Sequence, residues 1–355
     1  MVSLVRLLKV LSFLFLASGL NGCFEKLPMS TAHVVTEWGR QINHVYLITT
    51  VIVSLIFVAV AIPFCYAIWK FREKEGETRM PKQITGNHKL EIIWTLVPIV
   101  LLIFIFLPTL EVIMKRAEAP PEDSLVIEAI GHQWWWEFKY PSLGITTANE
   151  MFVPENTHIT IKATSGDVIH AFWIPRWGGK IDTLPGIINQ ITYVTPSIED
   201  AEKGDYYQGH CTELCGLSHA RMRYEAVVLT KDRFQQWSKV AMQPPVIAST
   251  LEKKGQELFM SKTCFTCHAI EGTQANGKIG PNLTNFGNRR HLAAGTLNNT
   301  KDGLHTWLRD SVDSKPDYQT IKPGSLMVFG PNFELTEGDI KALTAYLQHS
   351  TAKTY

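Results

Sequence analysis

The chain has almost no net charge. Its 34 Lys and Arg residues almost balance its 33 Asp and Glu residues, so that 355 residues carry a formal charge of +1. A protein that binds nucleic acid needs a concentrated basic surface to neutralise phosphates. The composition offers no such surplus, and we therefore exclude nucleic acid as a partner.

Charged residues as a class are also scarce, at 19% of the chain against about 25% in an ordinary soluble protein. Ten Trp residues are many for this length, and the composition disfavours a single soluble domain. The length predicts about two or three domains. Cysteine is scarce as well, and each of the six residues can be assigned a role other than a disulfide: Cys23, Cys65, Cys211, Cys215, Cys264 and Cys267.

The N-terminal segment has the order of an export signal. Arg6 and Lys9 precede an apolar run over residues 10–16, and small residues follow, which predicts a signal peptide over residues 1–22. The apolar run is too short to span a bilayer. The tripeptide Leu-Asn-Gly before Cys23 resembles a bacterial lipoprotein signal, in which this Cys is lipidated and becomes the mature N-terminus. Ordinary cleavage nearby, without lipid, is the alternative.

Two later segments are long and apolar enough to cross a membrane. Residues 45–69 carry no formal charge and would measure about 37 Å as a helix, against a hydrocarbon core of about 30 Å. A second uncharged run lies within residues 91–114. The loop between them, residues 70–90, holds six Lys or Arg residues, whereas each outer flank holds two. The positive-inside rule places this loop in the cytoplasm.

This orientation predicts a protein of the bacterial cytoplasmic membrane with two transmembrane helices, 45–69 and 91–114. The segment before the first helix and everything after about residue 115 would then lie on the periplasmic, or outer, side. An export signal predicts the same orientation independently. Cys65 falls inside the first predicted helix and is interpreted as a small apolar residue.

Glu91 lies at the cytoplasmic mouth of the second predicted helix. An ionisable residue at the membrane is by default a candidate functional group, and here it suggests proton uptake by a neighbouring subunit. The alternative is an interfacial carboxylate that is simply solvated at the start of a helix, where negative charge is favourable.

The exported part divides into two predicted domains joined by a linker at 239–250. Residues 115–238 contain short alternating runs punctuated by Pro and Gly, which predict a β-sandwich; the runs cover residues 125–130, 157–163, 189–194 and 223–229. A short amphipathic helix is expected over 231–243, and two consecutive prolines then end it. Residues 251–355 have helical spacing at 251–260 and 336–349, separated by a segment rich in Gly, Asn and Thr. This pattern predicts a small loop-rich domain around a cofactor.

A twelve-residue segment carries four side chains that bind soft metals: Cys211, Cys215, His219 and Met222. Thiolate and thioether together favour copper, whereas zinc gains nothing from a methionine. A second thiolate four residues from the first can bridge two metals, with His170 as the candidate for a further ligand from a distant strand. A disulfide between the two cysteines is the alternative, and a structural histidine is the alternative for His170.

A second motif, Cys264-Phe-Thr-Cys267-His268, has the C-x-x-C-H spacing of covalent haem c attachment. A zinc or redox C-x-x-C site is the alternative. The second axial ligand should lie well downstream, and Met327 is the only methionine after the motif. Three histidines compete with it for this role: His291, His305 and His349.

Taken together, these motifs resemble a known family. The predicted hairpin, residues 167–175, the metal-binding segment and the aromatic stretch 131–140 resemble subunit II of haem-copper cytochrome c oxidases over residues 40–238. The haem motif and the downstream Gly280-Pro-Asn-Leu resemble class I cytochromes c, as in the caa type, where a cytochrome c domain is fused behind the copper domain. The resemblance implies a multidomain membrane protein with a two-helix hairpin, a cupredoxin-like β-sandwich or barrel and an all-α cytochrome c domain.

The same resemblance implies a binuclear copper centre, CuA, with two copper ions. Its ligands would be five side chains and one backbone carbonyl: His170, Cys211, Cys215, His219, Met222 and the carbonyl of Glu213. The side chain of Glu213 would face a magnesium site shared with subunit I.

The resemblance also assigns the haem and the points at which electrons and protons enter. One haem c would be attached to Cys264 and Cys267, with His268 and Met327 as axial ligands. Trp134 matches the tryptophan at which electrons enter, expected within an exposed aromatic cluster. The alternative for this stretch is a hydrophobic sandwich core, to which Trp135 or Trp136 would contribute. Glu91 matches the acid at which protons enter the pathway of subunit I.

The function implied is that of an electron-relay subunit of a proton-pumping cytochrome c oxidase. Electrons from a soluble cytochrome c or the bc complex would reach haem c, then CuA, and then haem a of subunit I, where oxygen is reduced with CuB; subunit III would be a further partner. Two other functions stay open. One is a CuA-containing component of a nitric oxide reductase, and the other is a membrane-anchored copper and haem electron carrier that acts alone.

Overall fold

The structure is a computed structural model that describes residues 27–72, 76, 80, 83, 86–198, 204–312, 321–327 and 334–348. The predicted signal peptide, Cys23 and His349 lie outside the described residues. The chain forms two compact units, one of residues 39–119 and one that combines residues up to 38 with those from 120 onward. The predicted limits of the individual domains stay predictions.

The smaller unit is built from two long helices. Helix α1 is Glu37–Lys70 and helix α2 is His88–Arg116, and both are long and apolar enough to cross a membrane. Each extends beyond its apolar run because helical hydrogen bonding continues into the polar flanks. The side chain of Asn87 accepts hydrogen bonds from the backbone N–H groups of Lys89 and Leu90, which satisfies donors that a helix start leaves free. The two predicted membrane helices are therefore present.

Residues 125–229 form a β-sandwich, as expected. Its ten strands are β1 Leu125–His132, β2 Trp135–Tyr140, β3 Ile145–Ala148, β4 Glu150–Pro154, β5 His158–Ser165, β6 His170–Phe172, β7 Ile181–Thr183, β8 Asn189–Val194, β9 Asp205–His210 and β10 Arg223–Leu229. A five-stranded sheet has the order β3-β2-β1-β5-β8, a three-stranded sheet has the order β4-β10-β9, and β6 pairs with β7. All four predicted strand segments lie on observed strands.

Aromatic side chains from both sheets fill the sandwich core. Phe172 and Tyr224 stack with ring centroids 5.0 Å apart, and Trp136 packs 5.3 Å from Tyr224. Burial of each such ring stabilises the fold by about 1.5–3 kcal/mol. A Cβ atom at Gly209 would lie 2.1 Å from the ring of Tyr224, so that only glycine lets this strand pass the tyrosine. The core thus fixes the strand that leads into the metal-binding segment.

The C-terminal part of the described chain is helical. Its helices are α3 Lys231–Val240, α4 Thr250–Ser261, α5 Lys301–Val312 and α6 Glu337–Leu347, with a two-stranded β11 His291–Leu292 and β12 Leu297–Asn298 between α4 and α5. Helix α3 ends three residues before its predicted end, still ahead of the two prolines. From Ile247 onward the apolar residues form a second hydrophobic cluster, separate from that of the sandwich.

Candidate metal and haem sites

Cys211 lies among three of the predicted copper ligands. Its Sγ atom is 3.7 Å from Sγ of Cys215, 3.8 Å from Nδ1 of His170 and 3.3 Å from the backbone oxygen of Glu213. Strand β9 ends one residue before Cys211, and β6 begins at His170. Two strand ends therefore bring together ligands that are far apart in the chain.

Cys215 lies near the other two predicted copper ligands, His219 and Met222. Its Sγ atom is 3.6 Å from Nδ1 of His219 and 3.8 Å from Sδ of Met222. His219 begins a short 3-10 helix, His219–Arg221, and the backbone N–H of Cys211 donates to the oxygen of Met222 at 3.1 Å. This bond closes the segment into a loop between β9 and β10, so that its donors converge on one point. The structure thus gathers all six predicted groups.

The donors of this cluster fit copper. Both cysteines, His170 and Met222 are buried, and neither cysteine forms a disulfide. Two thiolates, imidazole nitrogens and a thioether form a soft set, and the 3.7 Å between the sulfurs leaves both able to contact the same pair of ions. The disulfide considered as an alternative is not formed.

The two thiols share a proton unequally. A hydrogen bond with Cys215 lowers the pKa of Cys211 against the opposing effect of burial, and His170 lowers it further. The same interaction with Cys211, together with burial, raises the pKa of Cys215. A metal bound by both sulfurs would need both as thiolates, so that its binding would release protons.

Asp167, which the sequence analysis does not single out, contacts the imidazole of His170. Its Oδ1 atom lies 2.8 Å from Nε2 of His170, which directs Nδ1 of the imidazole toward Cys211. Burial lowers the pKa of His170, but the hydrogen bonds to Asp167 and Cys211 outweigh burial and the net shift is upward. A carboxylate behind a metal-binding histidine fixes its tautomer and orientation. An acid three residues before the histidine is the signal that could have revealed it.

The haem attachment motif follows α4, on a short 3-10 helix, Cys264–Thr266. Nδ1 of His268 donates to the backbone oxygen of Pro281 at 2.8 Å, which leaves Nε2 as the nitrogen that could bind a metal. A Cβ atom at Gly280 would lie 2.6 Å from Cε1 of His268, so that glycine lets the loop lie flat on the ring. Burial lowers the pKa of His268, which favours the neutral form that binds iron. These residues fit haem c.

Met327 packs against the hydrophobic cluster of the helical part, as do Cys264 and Phe265 from the attachment motif. Two of its competitors contact carboxylates instead. Nδ1 of His291 is 3.5 Å from Glu225, and Nε2 of His305 is 2.6 Å from Glu337. Of these three candidates, Met327 is the one that packs in the same cluster as the attachment motif, which favours it as the second axial ligand.

The expectation of an exposed aromatic cluster requires correction. Trp134, Trp135 and Trp136 are 7%, 9% and 0% exposed. Nε1 of Trp134 donates to the oxygen of Cys215 at 3.0 Å, and Gly324 of the helical part lies so close that a Cβ atom there would be 2.5 Å from the indole. The ring is buried because a distant segment of the same chain covers it.

Glu91 lies in the first turn of α2. Its Oε2 atom is 3.2 Å from Nδ1 of His88, and both side chains are substantially exposed. The acid therefore lies at the predicted end of the helix, next to the loop that carries the excess of Lys and Arg.

Comparison with known families divides the chain into three matches. Residues 30–112 match the transmembrane domain of cytochrome c oxidase subunit II, residues 142–229 match its periplasmic domain, and residues 252–351 match cytochrome c.

Similar proteins match over almost the whole length. Cytochrome c oxidase subunit 2 of Bacillus subtilis is 35% identical over 348 residues, which cover 94% of this chain and 95% of that protein. The subunit of Alkalihalophilus pseudofirmus is 32% identical, with 94% of each chain covered. Among solved structures, the periplasmic domain of subunit II of cytochrome oxidase from Bradyrhizobium japonicum is 33% identical, with a TM-score of 0.32, 35% of this chain covered and 96% of that one.

Proposed function

The chain belongs to the cytochrome c oxidase subunit II family, and on that premise we propose which of its residues serve electron transfer. It is an oxidoreductase subunit with a fused cytochrome c domain, in which electrons pass from haem c to CuA within a haem-copper oxidase. The observation that carries the assignment of the copper site is the pair of buried sulfurs 3.7 Å apart, with four further donor groups around them.

We assign the CuA ligands to the converging groups: His170, Cys211, the carbonyl of Glu213, Cys215, His219 and Met222. When bound, copper and haem iron accept and release single electrons. The chain contributes rigidity, because the loop is closed by the bond between Cys211 and Met222 and His170 is fixed by Asp167. A buried donor set that is held in place would rearrange little when the bound metal gains or loses an electron. A small rearrangement suits single-electron transfer.

We assign haem c to Cys264 and Cys267 as thioether links and to His268 and Met327 as axial ligands. The hydrogen bond from His268 to Pro281 holds the imidazole in one tautomer. Thioether ligation raises the potential of a haem, which is suitable for a donor to copper. We further assign Trp134 as the residue through which electrons enter the copper site, because its indole donates to the backbone of Cys215.

Two further roles rest on the family resemblance. We propose that Glu91 admits protons to the pathway of subunit I; its exposed position at the start of α2 supports this. We also propose that the side chain of Glu213, which is exposed, contributes to a magnesium site at the surface of subunit I.

The assembly in which the chain works follows from its family. As a subunit II it associates with subunit I in a haem-copper oxidase. We propose subunit III, haem a and CuB as further components, and a soluble cytochrome c or the bc complex as the donor. The two apolar helices and the periplasmic-domain match support anchoring in the bacterial cytoplasmic membrane with both cofactor domains outside. Lipid on Cys23, after removal of residues 1–22, stays a prediction.

Purification of the complex from solubilised membranes tests the assignment. We expect the tagged chain to bring with it subunit I and haem a, to consume oxygen with reduced cytochrome c, and to show haem c bands and the near-infrared absorption of mixed-valence copper. A complex without haem a and oxygen consumption would instead match an electron carrier that acts alone, and nitric oxide reduction would match a reductase component.

A cysteine substitution tests the copper ligands separately. We expect Cys215→Ser to abolish the near-infrared band and to leave the haem c bands intact, because the haem ligands belong to another cluster. Cys65→Ser in α1 is the matched control and should keep both signals. A near-infrared band that survives in Cys215→Ser would refute the copper assignment.

A further inference from the structure

A short segment, residues 321–327, connects the cytochrome c domain to the loop that carries the proposed copper ligands. The hydroxyl of Ser218 donates to the backbone oxygen of Pro323 at 2.7 Å, and the guanidinium of Arg221 donates to the backbone oxygen of Ile321. Ser218 and Arg221 stand directly beside the ligands His219 and Met222. The segment thus contacts the copper loop itself and not a remote face of the sandwich.

Lys322 is the buried centre of this contact. Its side chain is 7% exposed, and Nζ donates to the backbone oxygens of Trp134, Arg221 and Ala293, the last two at 3.2 Å. A protonated lysine has three N–H donors, one for each of these oxygens, and burial lowers the pKa of Lys322 to about 7. Two of the acceptors belong to the copper-binding domain and the third belongs to the cytochrome c domain, so that one side chain joins both.

Burying an ammonium group among carbonyl oxygens costs more free energy than filling the same space with an apolar side chain. Desolvation of a charge opposes folding unless hydrogen bonds compensate for it, and a leucine or methionine would pack without this penalty. Hydrogen bonds are directional, however, whereas apolar contacts permit sliding. Three bonds from one nitrogen therefore define the position of residues 321–327 on the copper loop in a way that apolar packing would not.

The backbone next to Lys322 lies flat on the indole of Trp134. Gly324 has a φ of +74°, and a Cβ atom there would be 2.5 Å from the ring, so that a larger residue would lift the segment away. Met327 follows three residues later, and Trp134 donates to the backbone of Cys215. A continuous series of contacts thus leads from the proposed haem ligand to the proposed copper ligand.

We propose that Lys322 is a positioning residue for electron transfer: it holds the segment that bears Met327 against Trp134, so that the two cofactor sites keep one fixed separation. The inference rests on the proposed function of the two sites. It extends that function by naming the group that converts a tethered cytochrome c domain into a docked one. Lys322 contacts neither cofactor in this proposal, and its effect is exerted through the backbone.

The test compares Lys322→Met with Lys341→Met in the complete oxidase complex. Lys341 is an exposed residue of α6 and serves as the matched control. After photoreduction of haem c, we expect electron transfer to copper to slow in Lys322→Met by roughly tenfold to a hundredfold, the scale on which small misplacements act. The control should transfer at the wild-type rate.

Two further measurements report position and not activity. In the oxidised complex, haem c enhances the electron-spin relaxation of CuA in a manner that falls steeply with distance, and we expect this enhancement to weaken in Lys322→Met. Amide hydrogen exchange over residues 321–327 and 133–136 should become faster. The optical spectra of both centres should stay as in the wild type.

The outcomes separate the inference from the function on which it rests. A wild-type complex without CuA or haem c signals would refute the proposed function. A Lys322→Met complex with both signals and with wild-type transfer, relaxation and exchange would overturn the role of Lys322. Lys322→Gln covers the case in which Lys322→Met fails to assemble, because its shorter side chain and two N–H donors cannot replace three bonds from one nitrogen. Slowed transfer with both signals present supports the role, and wild-type transfer overturns it.

Discussion

At the scale of single residues, His170 has close neighbours on three sides of its ring. Asp167 contacts Nε2, Cys211 faces Nδ1, and Gly131 lies beneath the ring, where a Cβ atom would be 2.7 Å from Cδ2. Two of these three groups come from loops or strands that do not carry copper ligands. Contacts within the folded sandwich therefore determine the orientation of the imidazole.

Asp167→Asn tests this outer contact. An amide in place of the carboxylate loses the charge that favours an N–H at Nε2, and we expect the affinity for copper to fall by about 10–100-fold, the range for substitutions of this kind. Competition with a copper chelator, followed by the near-infrared band, measures the affinity. Asp123→Asn, at an exposed position, should bind copper as the wild type does. Equal affinities in the two variants would contradict the orienting role.

The donor types of the copper site were predictable, but the surroundings of individual residues were not. Cys211, Cys215, His219 and Met222 follow one another within a single loop, so that their spacing alone indicates a soft metal site. The burial of Trp134 depends on a segment almost two hundred residues away, and no local pattern reports such a contact. Lys322 was missed for a related reason, because lysine is ordinarily an exposed residue.

At the scale of elements, α4 and α6 pack at unusually close range. A Cβ atom at Gly255 would lie 2.1 Å from the backbone oxygen of Ala342, so that the backbones of the two helices touch where they cross. Each helix begins with a capping box, formed by Ser249 with Glu252 and by Thr336 with Asp339. The caps fix the helix starts, and the glycine fixes the crossing point on which the haem domain is built.

Two helical glycines offer a matched comparison. We expect Gly255→Ala to destabilise the cytochrome c domain by about 1–3 kcal/mol through overpacking. Gly338→Ala in α6 meets only ordinary contact, 3.7 Å from Thr336, and should be neutral or stabilising by up to about 1 kcal/mol because alanine favours a helix. Denaturant titration of the purified protein, followed by haem absorbance, measures both. Similar midpoints for the two variants would refute the close crossing.

Elements with a readable period were predictable. The helical spacing at 251–260 and 336–349 predicts the starts of α4 and α6 to within a residue, and the alternation of residues 189–194 and 223–229 matches β8 and β10. Strands β6 and β7 have three residues each, too few for an alternation to be recognised. Pairing with each other, not their own sequence, makes them strands.

At the scale of the whole exported part, the sandwich and the cytochrome c domain share a second polar contact away from Lys322. Arg290 forms an ion pair with Glu225 at 3.2 Å, and its backbone N–H donates to Oε1 of Glu150 at 2.8 Å. Burial raises the pKa of Glu150 to about 7, with Glu225 acting in the same sense, while the bond from Arg290 and the charges of Arg289 and His291 oppose the rise. A prediction of the fold class of each domain does not say which of their residues meet at this interface.

The raised pKa of Glu150 determines the direction in which this residue changes the stability of the fold with pH. Between about pH 4.5 and about pH 7 the folded chain keeps a proton that the unfolded chain loses, so that this group makes stability fall as pH rises through that window. We expect a protonated-carboxyl infrared band that titrates near pH 7, is absent in Glu150→Gln and is kept in Glu122→Gln, an exposed control. Titration of the band near pH 4.5 would contradict the effect of burial.

The bonds of Lys322 all end on backbone oxygens, and every type of residue carries such an oxygen. The copper-binding face can therefore change its side chain at Arg221 without losing the acceptor that Lys322 uses there. The cytochrome c domain, in contrast, needs particular residues: a lysine and, two residues later, a glycine that leaves room for Trp134. In a chimaera, we expect a foreign cytochrome c module to dock on the copper loop only when it carries a lysine and a glycine at the spacing of Lys322 and Gly324.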